Sequence, residues 1–271
     1  MEIQYADRLG AKSMRDLLGL CGVVAIIAAP IAASAQVAPA GAAQGVDVSS
    51  LQGQIDWSAV AASGISFGFA RAANGGAIDT RFQQNYAGMS QAGLIRGAYQ
   101  FFQPNQDATT QADLLLTEIG SLQPGDLAPV LDVETSGGQS AGVLLGEITT
   151  WANVIRTSTG RTPIIYTGRT FWNGSVGPTE PSADLWVASF GGAQPLLPNA
   201  WPAWTFWQYS ATGSVAGING VVDRDVFFGS PAELATFAGI PEPTTYGLLI
   251  AGFGLVGAYL RRSRRLRHSF A

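Results

Sequence analysis

Residues 128–134 of this chain read Ala-Pro-Val-Leu-Asp-Val-Glu, an apolar run that ends in two acidic residues one position apart. Glycine-containing segments flank the run at 125–126 and 136–138, which predicts a buried strand that ends in a loop. Side chains at positions i and i+2 of a strand point to the same face of the sheet. Asp132 and Glu134 are therefore predicted to lie side by side where the strand ends.

Two carboxyl groups held side by side repel each other when both are ionised, and the one in the drier setting keeps its proton to higher pH. A proton donor next to an ionised carboxylate is the arrangement that cleaves glycosidic bonds. An acidic pair at a strand end also fits a helix cap or a solvated loop. The pair alone leaves these alternatives open.

The composition excludes several classes of enzyme. The only cysteine, Cys21, and the only histidine, His268, lie in terminal segments that are predicted to be processed off. The rest of the chain therefore does not suit Ser-His-Asp or Cys-His hydrolases or the usual zinc sites. Residues 36–240 hold fifteen acidic residues against seven arginines and no lysine, a net charge of −8 that does not suit a nucleic-acid partner. No glycine-rich phosphate-binding motif follows a predicted strand, so neither a nucleotide cofactor nor a metal is expected.

The first 35 residues have the features of a secretory signal peptide. Lys12 and Arg15 precede an apolar stretch at 17–32, and small residues at 33–35 offer a cleavage site. Residues 36–44 are predicted to form a linker. A signal peptidase is thus an expected partner, and the mature chain is expected to be exported across the inner membrane.

Residues 240–271 combine three features in order: Pro-Glu-Pro at 241–243, an apolar run at 246–260 and an arginine cluster at 261–267. A helix of that apolar length spans about 22 Å, short of the roughly 30 Å hydrocarbon core, although snorkelling arginines extend its reach. An ordinary tail anchor has the same outline. The three features in this order resemble the PEP-CTERM sorting signal, which implies a short transmembrane helix and processing by an exosortase-type enzyme.

Predicted strands and helices alternate between these two ends. Strands are expected at 45–48, 65–70, 94–102, 130–134 and 163–166, with helices at 56–63, 79–92, from 107 onward and at 141–158. Three more strands, at 185–189, 204–209 and 221–227, follow without full helices between them. Repeated βα units favour a parallel sheet whose functional sites lie at the carboxyl ends of the strands. The pattern predicts an α/β fold, with a barrel whose last third lacks helices.

Eight short motifs are spread along nearly the whole body of the chain: 47–53 (DVSSLQG), 55–57 (IDW), 97–99 (GAY), 129–134 (PVLDVE), 165–167 (IYT), 185–188 (LWVA), 207–210 (WQYS) and 220–223 (GVVD). In this order they resemble glycoside hydrolase family 25, the Chalaropsis-type lysozymes. The resemblance implies a modified TIM-like (β/α)5β3 barrel, a single catalytic domain at residues 45–239. It also implies hydrolysis of the β-1,4 bond between N-acetylmuramic acid and N-acetylglucosamine.

The same resemblance implies roles for four acids. Glu134 matches the family's general acid, which protonates the leaving oxygen. Asp132, Asp47 and Asp223 match the acids around it, which keep Glu134 protonated through their negative field or orient the acetamido group or a water. Asp47 alone would also fit a helix cap, and Asp225 competes with Asp223 for the last position. Retaining and inverting courses both stay open, because the separation of the carboxyl groups decides between them.

Four further positions match the family's sugar groove, namely Tyr99, Tyr166, Trp186 and Gln208. Aromatic faces can pack on sugar rings, and the Gln208 amide can hydrogen-bond sugar hydroxyls. Trp186 fits a barrel core equally well, so core and groove stay open for it. Trp207 fits the core better than the groove.

Two more residues are predicted to bind substrate although they depart from the family's pattern. The family often has Lys-x-x-Glu-Gly after the second strand, where this chain has Arg71 and Asn74. Arg71 keeps a positive charge with a different geometry, whereas Asn74 lacks a carboxylate. Gln100 stands where the family often has histidine, and it can form hydrogen bonds but cannot titrate. These departures bear on the pH profile and on subsite preference more than on the reaction.

Together these features predict an exported, monomeric muramidase that acts on the glycan strands of peptidoglycan. It would be anchored transiently in the inner membrane and would then be periplasmic, displayed on the cell surface or secreted. Two alternatives stay open: a non-catalytic glycan-binding protein on the same scaffold, and a glycosidase for an amino-sugar exopolysaccharide. Release of reducing ends separates the first alternative from an enzyme, and comparison of products from the two polymers tests the second.

Overall fold

Nine strands and six α-helices follow one another along residues 40–241, the part of the chain that the computed structural model describes. The strands are β1 Gln44–Val48, β2 Phe67–Asn74, β3 Ala77–Ile78, β4 Ile95–Phe101, β5 Val130–Asp132, β6 Ile164–Gly168, β7 Asp184–Ala188, β8 Phe206–Gly213 and β9 Val222–Phe227. The helices are α1 Trp57–Ala62, α2 Phe82–Gln91, α3 Ala108–Ile119, α4 Ala141–Thr159, α5 Arg169–Ser175 and α6 Pro231–Phe237.

The sheet closes into a barrel because β1 pairs with β2 on one side and with β9 on the other. Eight strands form the wall, and β3 is a short hairpin partner of β2. One α-helix follows each of β1, β4, β5 and β6, and α2 follows the β2–β3 hairpin, so that five helical units precede the last three strands. The predicted α/β fold with a (β/α)5β3 barrel is confirmed.

The last strand runs against the others. The pairings from β1 to β8 around the wall are parallel, whereas β9 is antiparallel to both β8 and β1. The carboxyl ends of the parallel strands therefore share one end of the barrel with the start of β9. We call this end the mouth and the opposite end the base.

Side chains fill two layers, one inside the barrel and one between the barrel and its helices. The interior holds aromatic rings, including Phe67 and Phe69 on β2, which are fully buried. Glycines make room for them, since a Cβ on Gly45 or Gly97 would lie 2.3 Å from the Phe67 or the Phe69 ring. Because successive residues of a strand point to opposite faces, this layering decides which side chains reach the mouth from within.

Acidic caps set the starts of two helices. Asp56 Oδ1 accepts hydrogen bonds from the first-turn N–H groups of Ser58 and Ala59, both at 3.1 Å, and Asp107 Oδ1 accepts from Thr110 N–H at 2.7 Å. The predicted start of the helix after Asp107 is confirmed. The helix predicted from residue 79 instead begins at 82, since the Asp79 carboxylate accepts hydrogen bonds from Arg71 Nε and from the N–H groups of Ser50 and Arg81.

The base is closed by α6, which the sequence patterns did not predict. Leu234 on this helix and Ala238 just after it are fully buried in the interior cluster, and Gly125 N–H, close to the start of β5, donates to Ala238 O at 3.0 Å. At the same end, Ala43 N–H donates to Gly229 O at 2.9 Å. The chain thus enters and leaves the barrel at the base.

The predicted terminal segments fall mostly outside the described residues. The signal peptide at 1–35, nearly all of the sorting signal at 240–271, Cys21 and His268 lie there. Of the predicted linker at 36–44, Gln44 belongs to β1, so the barrel starts one residue earlier than expected. Among residues 40–241, no helix has the length and apolar character needed to cross a membrane.

Candidate active site

The mouth brings the four predicted acids together from three strands. Asp47 lies near the end of β1, Asp132 ends β5, and Glu134 follows it by two residues. Asp223 lies at the start of β9 and pairs directly with Asp47 in the antiparallel ladder. The four carboxyl groups are close enough for the charge of Glu134 to raise the pKa of Asp132, Asp47 and Asp223.

Asp132 and Glu134 share the inner face of the strand, as predicted, but they differ in depth. Asp132 is 6% exposed, whereas Glu134 opens to solvent. Burial raises the pKa of Asp132 well above its usual value, and the charge of Glu134 raises it further. The drier member of the pair is therefore Asp132.

The pKa of Glu134 is also raised, in the direction that a general acid needs. Partial burial of the carboxyl group is the main cause that raises this pKa. Burial also raises the pKa of Asp132 and of Asp47, and the expectation that ionised aspartates keep Glu134 protonated stays a prediction.

A chain of hydrogen bonds crosses the mouth from β6 to β1. The Tyr166 hydroxyl donates to Gln208 Oε1 at 2.8 Å, and Gln208 Nε2 donates to Asp47 Oδ2 at 2.8 Å. Both ends of the buried Gln208 amide are thus engaged within the protein, so it holds Asp47 rather than presenting a free amide to sugar hydroxyls. The helix-cap alternative for Asp47 is wrong, since Ser49 caps the short 3-10 turn that follows β1.

Asp223 and Asp225 both point into the barrel, and they differ in how deeply they are buried. Asp223 is half-buried at the mouth, where burial raises its pKa to about 6. Asp225 lies one step below it, 0% exposed, and its Oδ1 accepts a hydrogen bond from Trp186 Nε1 at 2.9 Å. Asp223 is thus the acid at the mouth, and Asp225 is a second acid beneath it.

Two predicted aromatic residues lie around these acids. Tyr99 and Tyr166 are mostly covered, and burial raises the pKa of both hydroxyls well above the usual value. Each hydroxyl is influenced by the charges of Asp47, Asp132 and Asp223. They are neutral hydroxyl groups set among carboxyl groups.

Trp186 belongs to the core, which corrects its predicted place in the groove. Its side chain is 2% exposed and stacks on Phe69, with ring centroids 4.4 Å apart. The Tyr166 ring packs edge-on against it at 4.7 Å. Trp186 is therefore covered by its neighbours and presents almost no surface at the mouth. Trp207 is fully buried, as expected for core.

Gln100 is also misplaced by the sequence prediction. It follows Tyr99 in β4, so its side chain points to the opposite face, into the layer beneath the helices. There it is 0% exposed, its Nε2 donates to Gly75 O at 3.0 Å, and its Oε1 accepts from Trp151 Nε1 at 2.9 Å. Its side chain therefore takes part in packing rather than in substrate binding.

Arg71 is the cation of the mouth, and Asp79 holds it. Arg71 Nε donates to Asp79 Oδ2 at 3.0 Å, and the same carboxylate accepts from the N–H groups of Ser50 at 3.0 Å and Arg81 at 2.9 Å. Although burial opposes it, these donors lower the pKa of Asp79. The Arg71 charge in turn lowers the pKa of Asp132, against the stronger effect of burial. Asn74 is exposed and accepts from Gln103 Nε2 at 2.7 Å.

Sequence reasoning assigned no site role to two acids that contact residues of the mouth, Asp79 and Asp225. Asp79 was interpreted as a helix start, and Asp225 as a rival of Asp223. An Asp-x-Asp pattern in a strand does place both acids on one face, so that signal was present. Among residues 40–241, no group of three or more acidic side chains has the geometry of a metal site.

Comparison with known proteins identifies two segments of the chain. The family model for glycosyl hydrolases family 25 matches residues 46–218, and the PEP-CTERM protein-sorting motif matches residues 239–265. The first match includes Asp47, Asp132 and Glu134 and ends before Asp223. The C-terminal segment therefore carries a PEP-CTERM motif.

Named relatives cover most of the same barrel. Lysozyme M1 of Streptomyces globisporus is 41% identical over 72% of this chain and 71% of its own length. The N,O-diacetylmuramidase of Arthroderma benhamiae is 31% identical over 82% of this chain and 98% of its own length. The crystal structure of the bacterial lysozyme from Streptomyces coelicolor superposes with a TM-score of 0.71 and 38% identity, covering 74% of this chain and all of the other. This chain belongs to glycosyl hydrolases family 25.

Proposed function

We propose that this protein is a peptidoglycan hydrolase that cleaves the β-1,4 bond between N-acetylmuramic acid and N-acetylglucosamine. The observation that carries the proposal is the pair Asp132 and Glu134, one buried and one open to solvent, at the mouth of a family 25 barrel. The names of its relatives, a lysozyme and an N,O-diacetylmuramidase, support the same substrate.

Glu134 is the proposed general acid. It has the open side chain needed to reach a glycosidic oxygen, and partial burial raises its pKa, which favours the protonated form. Loss of its proton to the leaving oxygen places a negative charge beside Asp132. A neutral Asp132, whose pKa is raised by burial, tolerates that charge better than an ionised Asp132 would.

Asp47 and Asp223 are the proposed groups that orient the acetamido group of the substrate or a water. Both face the mouth as direct partners across β1 and β9. The Tyr166–Gln208 chain aims one Asp47 oxygen, which limits its freedom before substrate binds. Preorganised polar groups of this kind lower the barrier because they do not have to reorient during the reaction.

The substrate groove is proposed to use Tyr99, Tyr166 and Arg71. The two tyrosines place their hydroxyls near the acids of the mouth, and Arg71, fixed by Asp79, provides a positive charge beside the acids. A cation at this place suits the carboxylate of a lactyl or peptide substituent on muramic acid. All of these groups come from one chain, which supports action as a monomer.

Export and processing are proposed from the two termini. The signal-peptide features at 1–35 and the PEP-CTERM motif support translocation across the inner membrane, transient anchoring and exosortase-type processing. Since the chain enters and leaves the barrel at the base, an anchor attached there would leave the mouth open to glycan strands. The processed protein would be periplasmic, on the cell surface or secreted.

Mass analysis of the products tests the proposed function. Purified protein is incubated with purified peptidoglycan and, separately, with the exopolysaccharide of the host. The proposal expects muropeptides with N-acetylmuramic acid at the new reducing end. Binding without release of reducing ends would point to a glycan-binding protein, and products from the exopolysaccharide alone would point to the other polymer.

A further inference from the structure

Asp225 is a fully buried acid that the proposed reaction does not use. Its Oδ1 accepts a hydrogen bond from Trp186 Nε1 at 2.9 Å, and within residues 40–241 its Oδ2 has no N–H or O–H donor in a fixed geometry. Its neighbour on the mouth side is the carboxyl group of Asp47, whose negative charge raises the pKa of Asp225. Two carboxyl groups can form a hydrogen bond only if one of them carries a proton.

The positions of the two acids follow from strand register. Asp225 pairs with Gly45 on β1 and with Gln208 on β8, one step deeper than the Asp47–Asp223 pair. The titratable groups that face Asp225 are Asp47 and Asp223, whereas β7 and β8 contribute the uncharged Trp186 and Gln208.

We infer that Asp47 and Asp225 share one proton, held by Asp225, whose O–H donates to Asp47 and keeps its carboxylate aimed at the mouth. Asp225 is thus a positioning residue that acts through Asp47. The consequence for catalysis depends on the proposed function, whereas the shared proton does not.

The chemistry of the surroundings supports this placement of the proton. Two adjacent buried carboxylates would repel each other strongly, so the pair retains one proton at neutral pH. The charge is better placed on Asp47, which is slightly exposed and accepts from Gln208 Nε2, than on Asp225, which is 0% exposed. Burial is the main cause that raises the pKa of each acid.

The pH dependence of unfolding tests the shared proton without any substrate. In the unfolded chain Asp225 ionises near its usual value of 3.8, whereas the folded pair holds its proton to higher pH, so unfolding releases one proton. The Asp225→Asn variant keeps a donor toward Asp47 and has no such proton. The stability of the wild type therefore falls relative to the variant as pH rises.

The urea unfolding of both proteins is measured between about pH 5 and pH 7. The ratio of unfolding constants, wild type over Asp225→Asn, is expected to rise about tenfold per pH unit. A ratio that does not change with pH would overturn the inference, because Asp225 would then be ionised in the folded protein as well.

Activity on peptidoglycan tests the positioning role. Asp225→Ala removes the donor to Asp47 and is expected to lower kcat/KM roughly tenfold or more, and Asp225→Asn, which restores a donor, is expected to recover most of that loss. An Asn variant as impaired as the Ala variant would overturn the role. If the wild type itself releases no muropeptides, the proposed function fails while the unfolding result still decides on the proton.

Discussion

Gln208 Nε2 donates a 2.8 Å hydrogen bond to Asp47 Oδ2 and so joins β8 to β1. The two residues are 161 positions apart in the chain. Their contact forms where the sheet closes around β9, so the orientation of Asp47 depends on closure of the whole barrel. The catalytic geometry and the fold are therefore linked at this point.

Replacing Gln208 with methionine tests that link. The variant keeps a similar volume but leaves a buried Asp47 oxygen without its donor, and a hydrogen bond to a charged group is worth about 1.5–3 kcal/mol. We expect kcat/KM on peptidoglycan to fall about 10–100-fold. Gln123→Met, at an exposed position before β5, is the matched control and should behave as wild type. Equal rates for both variants would show that Asp47 does not depend on Gln208.

The half-buried Asp223 predicts a step in the pH profile. Its pKa of about 6 means that it becomes neutral as the pH falls through that value, so its carboxylate is lost on the acidic side. We expect the kcat/KM of the wild type to decline below about pH 6, and we expect this step to disappear in Asp223→Asn. Asp113→Asn, on the exposed face of α3, should keep the wild-type profile. A step that persists in Asp223→Asn would assign it to another group.

Trp186→Phe tests whether this side chain belongs to the core. Phenylalanine keeps a ring next to Phe69 but loses the N–H that donates to Asp225, and a buried acceptor left unpaired costs about 1–3 kcal/mol. We expect the free energy of unfolding in urea to fall by that amount while KM for soluble glycan fragments stays near the wild-type value. Trp204→Phe, which alters a ring packed on Phe228, serves as the comparison. A higher KM at unchanged stability would indicate that Trp186 contacts the substrate in the groove.

Asp79→Asn tests whether an ionised Asp79 holds the Arg71 side chain in place. The folded-state pKa of Asp79 lies below its unfolded value of 3.8, so its contribution to stability is fully present above that value and is lost as pH falls through the folded-state pKa. We expect the variant to be less stable than wild type by about 1–3 kcal/mol at pH 6. The difference should shrink below about pH 4. Urea unfolding of both proteins across this pH range measures the difference in stability. A difference that does not change with pH would show that Asp79 is not ionised beside Arg71 in the folded protein.

Period-two alternation predicted the central part of the site. It placed Asp132 and Glu134 on one face, and the βα pattern placed them at the carboxyl end of a strand, as the structure has them. The same rule, applied to adjacent residues, separates Tyr99 from Gln100, and neglect of it put Gln100 in the groove. That error was avoidable from the sequence.

Depth within the barrel was not predictable from the sequence. Trp186 and Tyr166 both point inward, and only the stagger between neighbouring strands decides which of them lies nearer the mouth. Likewise, the antiparallel register of β9 against β1, rather than any local pattern, sets Asp223 beside Asp47 and Asp225 beneath it. Asp79 was predicted to begin the helix at 79–92, and only the β2–β3 hairpin brings its partner Arg71 to it.

The release of reducing ends by Glu134→Gln tests the central claim most directly. Glutamine fills the same space but cannot donate a proton to a leaving oxygen at a comparable rate, and general acid catalysis contributes about 10²–10⁴-fold. Glu147→Gln, on the outer helix α4, is the control and should keep the wild-type rate. We predict a loss of that size in Glu134→Gln, with an unfolding curve that still shows a folded protein. A Glu134→Gln protein that digests purified peptidoglycan at the wild-type rate would contradict the account.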